Sequence, residues 1–533
     1  MRLPRQWLLL LVLGYLVPAF ASAQGGYDTT KFKELGLEFP VPRDYEQIPT
    51  QPDEDWVVLY FAERVPKDKD KRKALRPELN VVWIDMVPDT APSTPASGPD
   101  APPLPGEGAP DAKSDEGGED KKPPPPPINS FERYVEQQLT LWKLESPKAL
   151  EAEKGWQRFE ASLVIDSKRG PDARGSAIWF KSPKRTIGFY GICGKEDLEK
   201  QQKIWKTIAD KLEIGDAENA SAEKWQRFYD NKDCLDTAYR AEVRSKLVRG
   251  WNADDTKNYI LIYDTKDRPL IRLISTELEA MRGEYERLFP AALPVKAVSA
   301  VRICKDEAEY KQYGGPPRSG GYWNWIAGEL VFFDYENVKG KANTGKANSR
   351  IVLYHEAFHQ YIHYSCGELS PHSWFNEGTG DYFSGSVISA GKVNRVGVNP
   401  WRIETIQEAI RRNLHVEWRK IIRFEQAEYY ANPSICYAQG WSMIYFLRSS
   451  KAVEKNPQWR KILPVYFDTL KSSWKTEQTA LKAAGKLEND KAKAEAQARA
   501  REEAVAKAFE GVDLDKIQEA WQEYTLALKV PKD

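Results

Sequence analysis

The chain has 533 residues with 78 basic and 78 acidic side chains, so its formal net charge is zero. This balance argues against a nucleic-acid-binding protein, which needs a basic surface. The length predicts two or more domains, and the 18 Trp and 25 Tyr residues can fill large cores.

The N-terminus has the pattern of a secretory signal peptide. Arg2 and Arg5 precede an apolar run at 7–20, and the small residues Ala21-Ser22-Ala23 follow it. We therefore predict a signal peptide at 1–23 and export to the periplasm, cell envelope or extracellular space. An uncleaved membrane anchor is the alternative, but the run is short for a membrane span. No later stretch is apolar enough to cross a bilayer, so we expect no span after cleavage.

The first predicted domain, 24–215, is α+β and carries no catalytic constellation. Runs rich in β-branched and aromatic residues predict strands, and amphipathic runs predict helices. The predicted strands span 56–63, 79–87, 159–166, 176–181 and 186–192, and the predicted helices span 131–144 and 196–212. Residues 35–49 and 204–214 resemble the small PsbP/Mog-like sandwich. We interpret this domain as a packing or binding module.

Residues 88–129 interrupt the first domain with Pro, Gly, Ala, Ser and charged residues but no aromatic residue. Such a segment cannot bury enough apolar surface to offset the entropy of ordering, so we predict a disordered insertion. A role as a proline-rich ligand is the alternative.

The second predicted domain, 216–533, has a mixed sheet followed by a mostly helical part. The predicted strands span 258–263, 295–304 and 328–335, and the predicted helices span 269–289, 306–313, 401–414, 438–447, 488–508 and 513–526. The helix at 488–508 is rich in Ala, Lys, Glu and Arg and is predicted to be a solvated helix. Residues 471–478 give no clear prediction.

Five cysteines are an odd number for an exported chain, so at least one is free or pairs with another chain. They are Cys193, Cys234, Cys304, Cys366 and Cys436. The spacing does not determine which of them pair. None has the CxxC spacing of a structural zinc site.

The residues His355-Glu356-Ala357-Phe358-His359 form an HExxH pattern. On an α-helix, residues four apart lie about 40° apart around the axis and one turn above each other, so both imidazoles can bind one metal ion. Glu356 follows the first of them and can reach a metal-bound water as general base. The alternative is a surface helix with two unrelated histidines.

A carboxylate downstream completes a plausible ligand set. Glu377 supplies a third protein ligand and leaves a fourth position open for water, as catalytic zinc requires. Asp381 lies four residues further, so on a helix it shares a face with Glu377. There it can accept the free N–H of a zinc-bound histidine.

The HExxH segment and the segment WFNEGTGDYF at 374–383 together resemble the gluzincin zinc metallopeptidases. This class includes thermolysin and the leukotriene-hydrolase-type aminopeptidases, and the layout is also similar to bacterial "peptidase MA-like" domains of unassigned substrate. The resemblance covers 258–447 and implies one Zn²⁺ held by His355, His359 and Glu377. It also implies that the strand at 328–335, just before the HExxH helix, is an exposed sheet edge that binds peptide. An ordinary buried strand is the alternative.

A further resemblance concerns residues 437–441, Tyr-Ala-Gln-Gly-Trp. They are similar to the Tyr-Glu-Lys-Gly-Phe of the aminopeptidases, whose tyrosine stabilises the tetrahedral oxyanion, which implies that role for Tyr437. The chain has no GxMEN-type motif, which the aminopeptidases use to hold a free N-terminus. Endopeptidase and exopeptidase activity therefore both stay open.

Other histidines are weaker candidates for the third ligand. His363 continues the spacing of four, but it drifts about 80° from His355 and lacks the glycine turn of HExxHxxGxxH sites. His372 precedes Trp374 and could ligate the metal or contact substrate. His415 lies in a charged stretch typical of a surface.

The sequence thus predicts an exported zinc metallopeptidase in which Glu356 is the general base. A rival hypothesis is a catalytically inactive exported binding or scaffold protein that retains the metal site. A third is an amide hydrolase acting on cell-wall peptide. The expected partner is a peptide or protein substrate, and the oligomeric state stays open.

Overall fold

The computed structural model describes residues 26–529, except for gaps at 52–53, 55, 67–72, 74, 86–125, 151–154, 166–171, 217–219, 231, 233, 249, 317–318 and 334–344. The predicted signal peptide lies outside the described residues, as does the predicted insertion up to residue 125. The chain has mixed α and β structure, with several sheets and a helical C-terminal part, which confirms the predicted α+β class.

The first part of the chain consists of strands with two helices. Its elements are β1 (Tyr27–Phe32), β2 (Leu37–Pro42), β3 (Tyr45–Ile48), β4 (Val57–Glu63), β5 (Glu78–Asp85), α1 (Phe131–Gln138), β6 (Trp142–Ala149), β7 (Gln157–Ile165), β8 (Ala173–Lys181), β9 (Arg185–Gly194), α2 (Leu198–Lys211) and β10 (Glu213–Ile214). A seven-stranded antiparallel sheet has the order β3-β4-β5-β9-β8-β7-β6, and a smaller sheet has the order β1-β2-β10.

Helices α1 and α2 cover opposite faces of the seven-stranded sheet. Trp205 of α2 packs in the same buried cluster as Phe189, whereas Phe131 of α1 packs with Tyr190. Because successive residues of a strand point to opposite faces, the neighbours Phe189 and Tyr190 on β9 separate the two clusters. The sheet is therefore buried on both sides.

The predicted helix at 131–144 is wrong in its second half. Ser130 caps α1 by accepting a hydrogen bond from the backbone N–H of Arg133 (3.2 Å), but the helix ends at Gln138. Beyond a short turn, Trp142 and Leu144 alternate with charged residues and pair with β7. A period of two in the hydrophobic pattern is typical of a strand, and here it outweighs the continuation of the helix.

The second part of the chain begins with a mixed five-stranded sheet and its helices. The elements are α3 (Ala220–Tyr229), α4 (Thr237–Ser245), β11 (Asn252–Asp255), β12 (Tyr259–Tyr263), α5 (Arg268–Leu288), β13 (Ser299–Cys304), α6 (Glu307–Gln312), β14 (Gly321–Asn324), β15 (Glu329–Phe333) and α7 (Gly345–Ser365). The sheet order is β11-β12-β13-β15-β14. The central strands β12, β13 and β15 are parallel, and both edge strands are antiparallel to their neighbours.

The predicted substrate-binding edge is wrong. Strand β15, predicted at 328–335, lies inside the sheet between β13 and β14, and all five of its residues are buried. The edge is β14, which has four residues and pairs through Trp323 with Leu330. The resemblance implied the edge, and the alternative, an ordinary buried strand, is the one that the structure has. The four-residue β14 is too short to give a clear periodic signal in the sequence.

The rest of the chain is helical apart from one β-hairpin. Its elements are α8 (Ser373–Phe383), β16 (Ser386–Ser389), β17 (Lys392–Val396), α9 (Ile403–Arg411), α10 (Trp418–Ile421), α11 (Gln426–Ala431), α12 (Pro433–Ser449), α13 (Lys451–Lys455), α14 (Ile462–Ala483), α15 (Asp490–Ala508) and α16 (Leu514–Ala527). Helix α14 covers residues 471–478, for which no element could be predicted from the sequence. Helix α15 is solvated on one face only, because Ala496, Ala500 and Ala504 are buried on the other.

No helix in the described part of the chain is long and apolar enough to cross a bilayer. All five cysteines are free, so Cys366 and Cys436, on α7 and α12, are not bridged. The helical part and the α5 and α7 face of the sheet share one continuous hydrophobic core. That core carries the HExxH helix.

Candidate metal centre

Helix α7 is held against α5 by buried polar contacts. The Glu277 carboxylate, 2 % exposed, accepts hydrogen bonds from the Tyr354 hydroxyl (2.6 Å) and from Arg350 Nε (2.8 Å). The Tyr285 hydroxyl donates to the backbone oxygen of Tyr354 (2.7 Å). Because buried polar groups are costly to leave unpaired, these bonds fix the rotation of α7 just before the HExxH residues.

The three predicted ligands converge where α7 meets α8. His355 Nε2 lies 3.0 Å from Glu377 Oε2, and His359 Nε2 lies 3.3 Å from the same oxygen. All three candidate ligand atoms lie within 4.8 Å of one another. The side chains are nearly buried. The structure thus gathers two imidazoles and one carboxylate around a single point that could hold a metal ion.

Both imidazoles are oriented through their second nitrogen. His355 Nδ1 lies 3.2 Å from Asp381 Oδ1, and His359 Nδ1 lies 3.0 Å from Asn376 Oδ1. An acceptor oxygen on each Nδ1 places the ring proton there and leaves Nε2 free to bind a metal. Sequence reasoning placed Asp381 here and missed Asn376, although Asn376 directly precedes Glu377.

Asp381 is itself held by Arg402, which directly precedes α9. Arg402 Nε donates to Asp381 Oδ2 (2.7 Å), and Arg402 Nη2 donates to Asp381 Oδ1 (3.3 Å). The same guanidinium lies 5.0 Å from the centre of the Tyr437 ring. Arg402 therefore fixes the carboxylate that orients His355. Nothing in the sequence marks Arg402 for this position, because its role depends on how α9 packs.

The centre without metal holds protons tightly. Burial acts to lower the pKa of His355, but hydrogen bonds with Asp381 and Glu377 outweigh it and raise that pKa to about 10. Burial acts to raise the pKa of Glu377, but the charge of His359 and hydrogen bonds from both histidines hold it well below its usual value. The site therefore favours positive charge between the carboxylates.

Glu356 lies on α7 beside the ligand set and faces the sheet edge. Burial raises the pKa of its carboxyl group, while the neighbouring histidines and a backbone hydrogen bond from Trp323 act in the opposite direction. Trp323 belongs to β14, so the edge strand reaches the predicted general base. A raised carboxyl pKa moves this group towards the range in which it exchanges protons near neutral pH.

Two tyrosines lie at the ligand set, the predicted Tyr437 and Tyr430. The Tyr430 hydroxyl donates to Glu377 Oε1 (2.7 Å). The ring of Tyr437 packs between His355 and Tyr430, with ring centres 6.5 and 6.0 Å away. Tyr430 comes from α11, in a segment without any recognisable motif, so sequence reasoning missed it.

Two glycines let α8 approach its neighbours. A Cβ on Gly378 would lie 2.5 Å from the backbone oxygen of Gly440 on α12, and a Cβ on Gly380 would lie 2.9 Å from the His355 ring. Such distances are well inside van der Waals contact. Backbone contact between α8 and α12 therefore sets how close Glu377 comes to α7.

The other candidate histidines do not join the ligand set. The His363 ring packs 6.3 Å from the Trp323 ring. His372 directly precedes α8 and hydrogen-bonds Tyr466, and His415 Nε2 lies 2.8 Å from Gln522 Nε2.

A cavity of about 750 Å³ opens beside the metal centre. Asn376, Glu377 and Tyr430 line it at the end nearest the centre. The remaining walls come from the turn between β14 and β15, the C-terminal half of α7, the segment before α8, and α15. Its volume is within the range of cavities that bind small molecules or short peptides.

Residues 351–461 match a protein-family model described as "Protein of unknown function (DUF1570)". The matched segment runs from α7 past α13 and contains the ligand set, Asp381, Tyr430 and Tyr437. No curated protein sequence matches the chain.

Two solved structures show a remote likeness to the chain. The cyanobacterial PsbP protein CyanoP from Synechocystis is 10 % identical, and the match covers 38 % of this chain and 100 % of that chain with a TM-score of 0.24. PA94 from Pseudomonas aeruginosa, a protein of unknown function, is 12 % identical, and the match covers 36 % of this chain and 100 % of that chain with a TM-score of 0.18. Likenesses this small carry no conclusion about fold or function.

Proposed function

We propose that the protein is a zinc-dependent peptidase, exported by its N-terminal signal sequence. The observation that carries the proposal is the convergence of His355 Nε2, His359 Nε2 and Glu377 Oε2, with Glu356 beside them and a cavity in front. Fold alone would not support it, because unrelated functions share folds.

The residues present fit a zinc ion. In a tetrahedral site with ligand bonds of about 2.1 Å, neighbouring ligand atoms lie about 3.4 Å apart. The two distances to Glu377 Oε2, 3.0 and 3.3 Å, are close to that separation. Each histidine also has the oxygen acceptor on Nδ1 that zinc-binding imidazoles usually have.

The charges fit a divalent cation as well. Glu356, Glu377 and Asp381 bring three carboxylates into one nearly buried region, and Arg402 brings one guanidinium. With neutral imidazoles, the group has two negative charges in excess. A buried group of like charges is unfavourable unless it is paired or binds a metal.

A bound zinc ion would lower the pKa of a water molecule and polarise the carbonyl of a peptide bond. The chain's own residues would do the rest. Glu356 is positioned to take a proton from the attacking water and to pass it to the leaving amine. The Tyr430 hydroxyl, which donates to Glu377 Oε1, would turn that proton to a developing oxyanion.

The edge strand β14 is the proposed binding site for a peptide. Strand β14 is the outer strand of its sheet, and Trp323 on it reaches Glu356. An extended peptide adding to this edge would form backbone hydrogen bonds whatever its sequence. It would then pass directly over the proposed general base.

The test begins with zinc per chain, measured by mass spectrometry on the mature protein. We expect about one zinc in the parent and much less in Glu377→Ala, whereas the control Glu368→Ala, an exposed glutamate of the same cavity, keeps its zinc. A peptide-library screen with Glu356→Gln follows, and we expect zinc to be retained and cleavage to be lost. A parent without zinc after reconstitution, or equal cleavage by Glu356→Gln, would refute the proposal.

A further inference from the structure

His372 occupies an unusual place between the metal centre and the cavity. It directly precedes α8, five residues before Glu377, and is only 5 % exposed. Its side chain nevertheless lines the cavity. The sequence offered it as a weak metal ligand or as a substrate contact, and the structure places it away from the ligand set and beside Tyr466.

The Tyr466 hydroxyl is the key neighbour. It accepts a hydrogen bond from the backbone N–H of His372 (2.9 Å) and lies 3.1 Å from His372 Nδ1. Tyr466 is fully buried, and among the described residues its oxygen hydrogen-bonds His372 alone. If His372 Nδ1 carried a proton, the Tyr466 O–H would have no acceptor, which costs about 1–3 kcal/mol in a buried site.

The imidazole of His372 is therefore held in one tautomer. Tyr466 donates to Nδ1, so the ring proton of the neutral imidazole is on Nε2. Burial, followed by the nearby charges of Arg501 and Arg423, lowers the pKa of His372 to about 3. The ring is thus neutral near neutral pH, and its Nε2–H is a fixed hydrogen-bond donor.

That donor has no partner in the described part of the chain. The hydrogen bonds of the His372 side chain go to Tyr466 only, and Nε2 is not among the buried polar atoms that lack a partner. Nε2 is therefore accessible, and the accessible space at this residue is the cavity. A fixed, accessible donor inside a cavity beside a catalytic centre suits an oxygen of the substrate.

The position of His372 relative to α8 sets the distance between this donor and the metal centre. His372 is the residue before the first turn of α8, and at 1.5 Å per residue it lies about 7.5 Å from Glu377 along the helix axis. An extended peptide advances about 3.3 Å per residue. A chain that begins at the metal centre therefore reaches His372 after about two residues.

We infer that His372 is a substrate-binding residue whose Nε2–H donates to a backbone carbonyl oxygen about two residues from the cleaved bond. The inference rests on the proposed peptidase function. It extends that function, because it makes the cavity a site for two or more residues on one side of the cleaved bond. Cleavage that leaves only one residue on that side should then have a lower kcat/KM than cleavage that leaves two or more.

The decisive experiment is a peptide-length series with two matched variants. His372→Asn keeps an amide near the Nδ1 position, where Tyr466 can still donate, but removes the Nε2 donor. His372→Gln keeps a donor near the Nε2 position. Peptides cleaved by the parent are lengthened by one residue at a time, on one side and then on the other.

We expect kcat/KM of the parent to rise about tenfold when the second residue is added on one side, the size of one good hydrogen bond. His372→Asn should lose that gain and leave the shorter peptide unaffected. His372→Gln should recover part of it. Zinc per chain should stay the same in all three proteins, because His372 is not a ligand.

The tautomer is checked separately by ¹⁵N nuclear magnetic resonance on histidine-labelled protein without and with zinc. We expect an Nε2–H tautomer of His372 that does not titrate between pH 5 and 8. An Nδ1–H tautomer, or an equal loss of rate for every peptide length in His372→Asn, overturns the inference while the peptidase stands. A parent that binds no zinc and cleaves no peptide overturns both.

Discussion

Two of the buried charged clusters in the second part of the chain differ in whether their charges are paired and in whether a cavity adjoins them. On the sheet, Arg302 Nε of β13 donates to Glu329 Oε1 of β15 (2.9 Å), and the Tyr313 hydroxyl donates to the other carboxylate oxygen. The Arg302 guanidinium also lies 4.2 Å from the Tyr313 ring centre. This sheet cluster has one charge of each sign, and they cancel.

The metal centre is assembled from the same kinds of groups, but with neutral imidazoles its charges do not cancel. Asp381 is paired with Arg402, whereas Glu377 faces two imidazole nitrogens and a tyrosine hydroxyl. The excess charge in that state is negative, and without metal it is offset by protons on the histidines. A cavity adjoins the centre. A closed buried cluster such as the one on the sheet can only serve the fold, whereas an open one such as the His355, His359 and Glu377 cluster could hold a metal ion.

The largest effect is expected from breaking the sheet cluster. Glu329→Gln leaves Arg302 buried without its counter-charge, which typically costs about 3–5 kcal/mol of unfolding free energy. Urea unfolding measures the loss. As a control, Glu242→Gln removes an exposed pair with Lys246 and should cost less than about 1 kcal/mol. Equal losses of unfolding free energy in the two variants would contradict the idea that the sheet cluster serves the fold. A loss of zinc from the folded Glu329→Gln protein would contradict it as well.

The next effect is expected at the metal centre. Asp381→Asn removes the carboxylate that orients His355 and should weaken zinc binding about 10- to 100-fold. The unfolding free energy without zinc should change less than in Glu329→Gln. Zinc titration with a competing chelator measures the affinity. An unchanged affinity would show that the His355 contact with Asp381 has no role in binding metal.

The zinc affinity of the metal centre should also depend on pH. Because the pKa of His355 is raised to about 10 without metal, a metal ion must displace a proton below that pH. Zinc affinity should therefore rise by up to about tenfold per pH unit from pH 6 to 9, and the rise should stop near pH 10. Asp381→Asn should make the rise stop at a lower pH, because it removes a group that raises this pKa. A flat profile in the parent would contradict the prediction.

The smallest effect is expected from the two tyrosines. Tyr430→Phe removes the hydroxyl that donates to Glu377 Oε1 and should lower kcat/KM about tenfold with zinc retained. Tyr437→Phe keeps the packed ring and should lower it less. The reverse order would return the oxyanion role to Tyr437, as the sequence resemblance implied.

The ligand set could be predicted because most of it is local. The spacing of His355 and His359 is a property of one helix, and Glu377 and Asp381 lie one turn apart on another. The acceptor Asn376 could also have been found, since it stands beside Glu377 in the chain. These predictions needed only helix geometry and the chemistry of zinc ligands.

The missed parts depend on packing between distant elements. Tyr430 and Arg402 reach the centre because α9 and α11 dock where they do, and no periodicity of the sequence reports that. The strand at 328–335 was expected at the edge only from the family resemblance, and β14, which takes that place, is too short to show a pattern in the sequence. The overrun of the helix at 131–144 is a boundary error in which pairing with β7 outweighed local preference.

The contact between Gly378 and Gly440 has a consequence for judging distant homologues. A homologue could retain both histidines and the glutamate and still lose the centre through one added methyl group at Gly378, because its Cβ would meet the backbone of Gly440 and push α8 away from α12. A motif search would count that homologue as intact. Gly378 is therefore worth checking together with the ligands when the site is sought in diverged sequences.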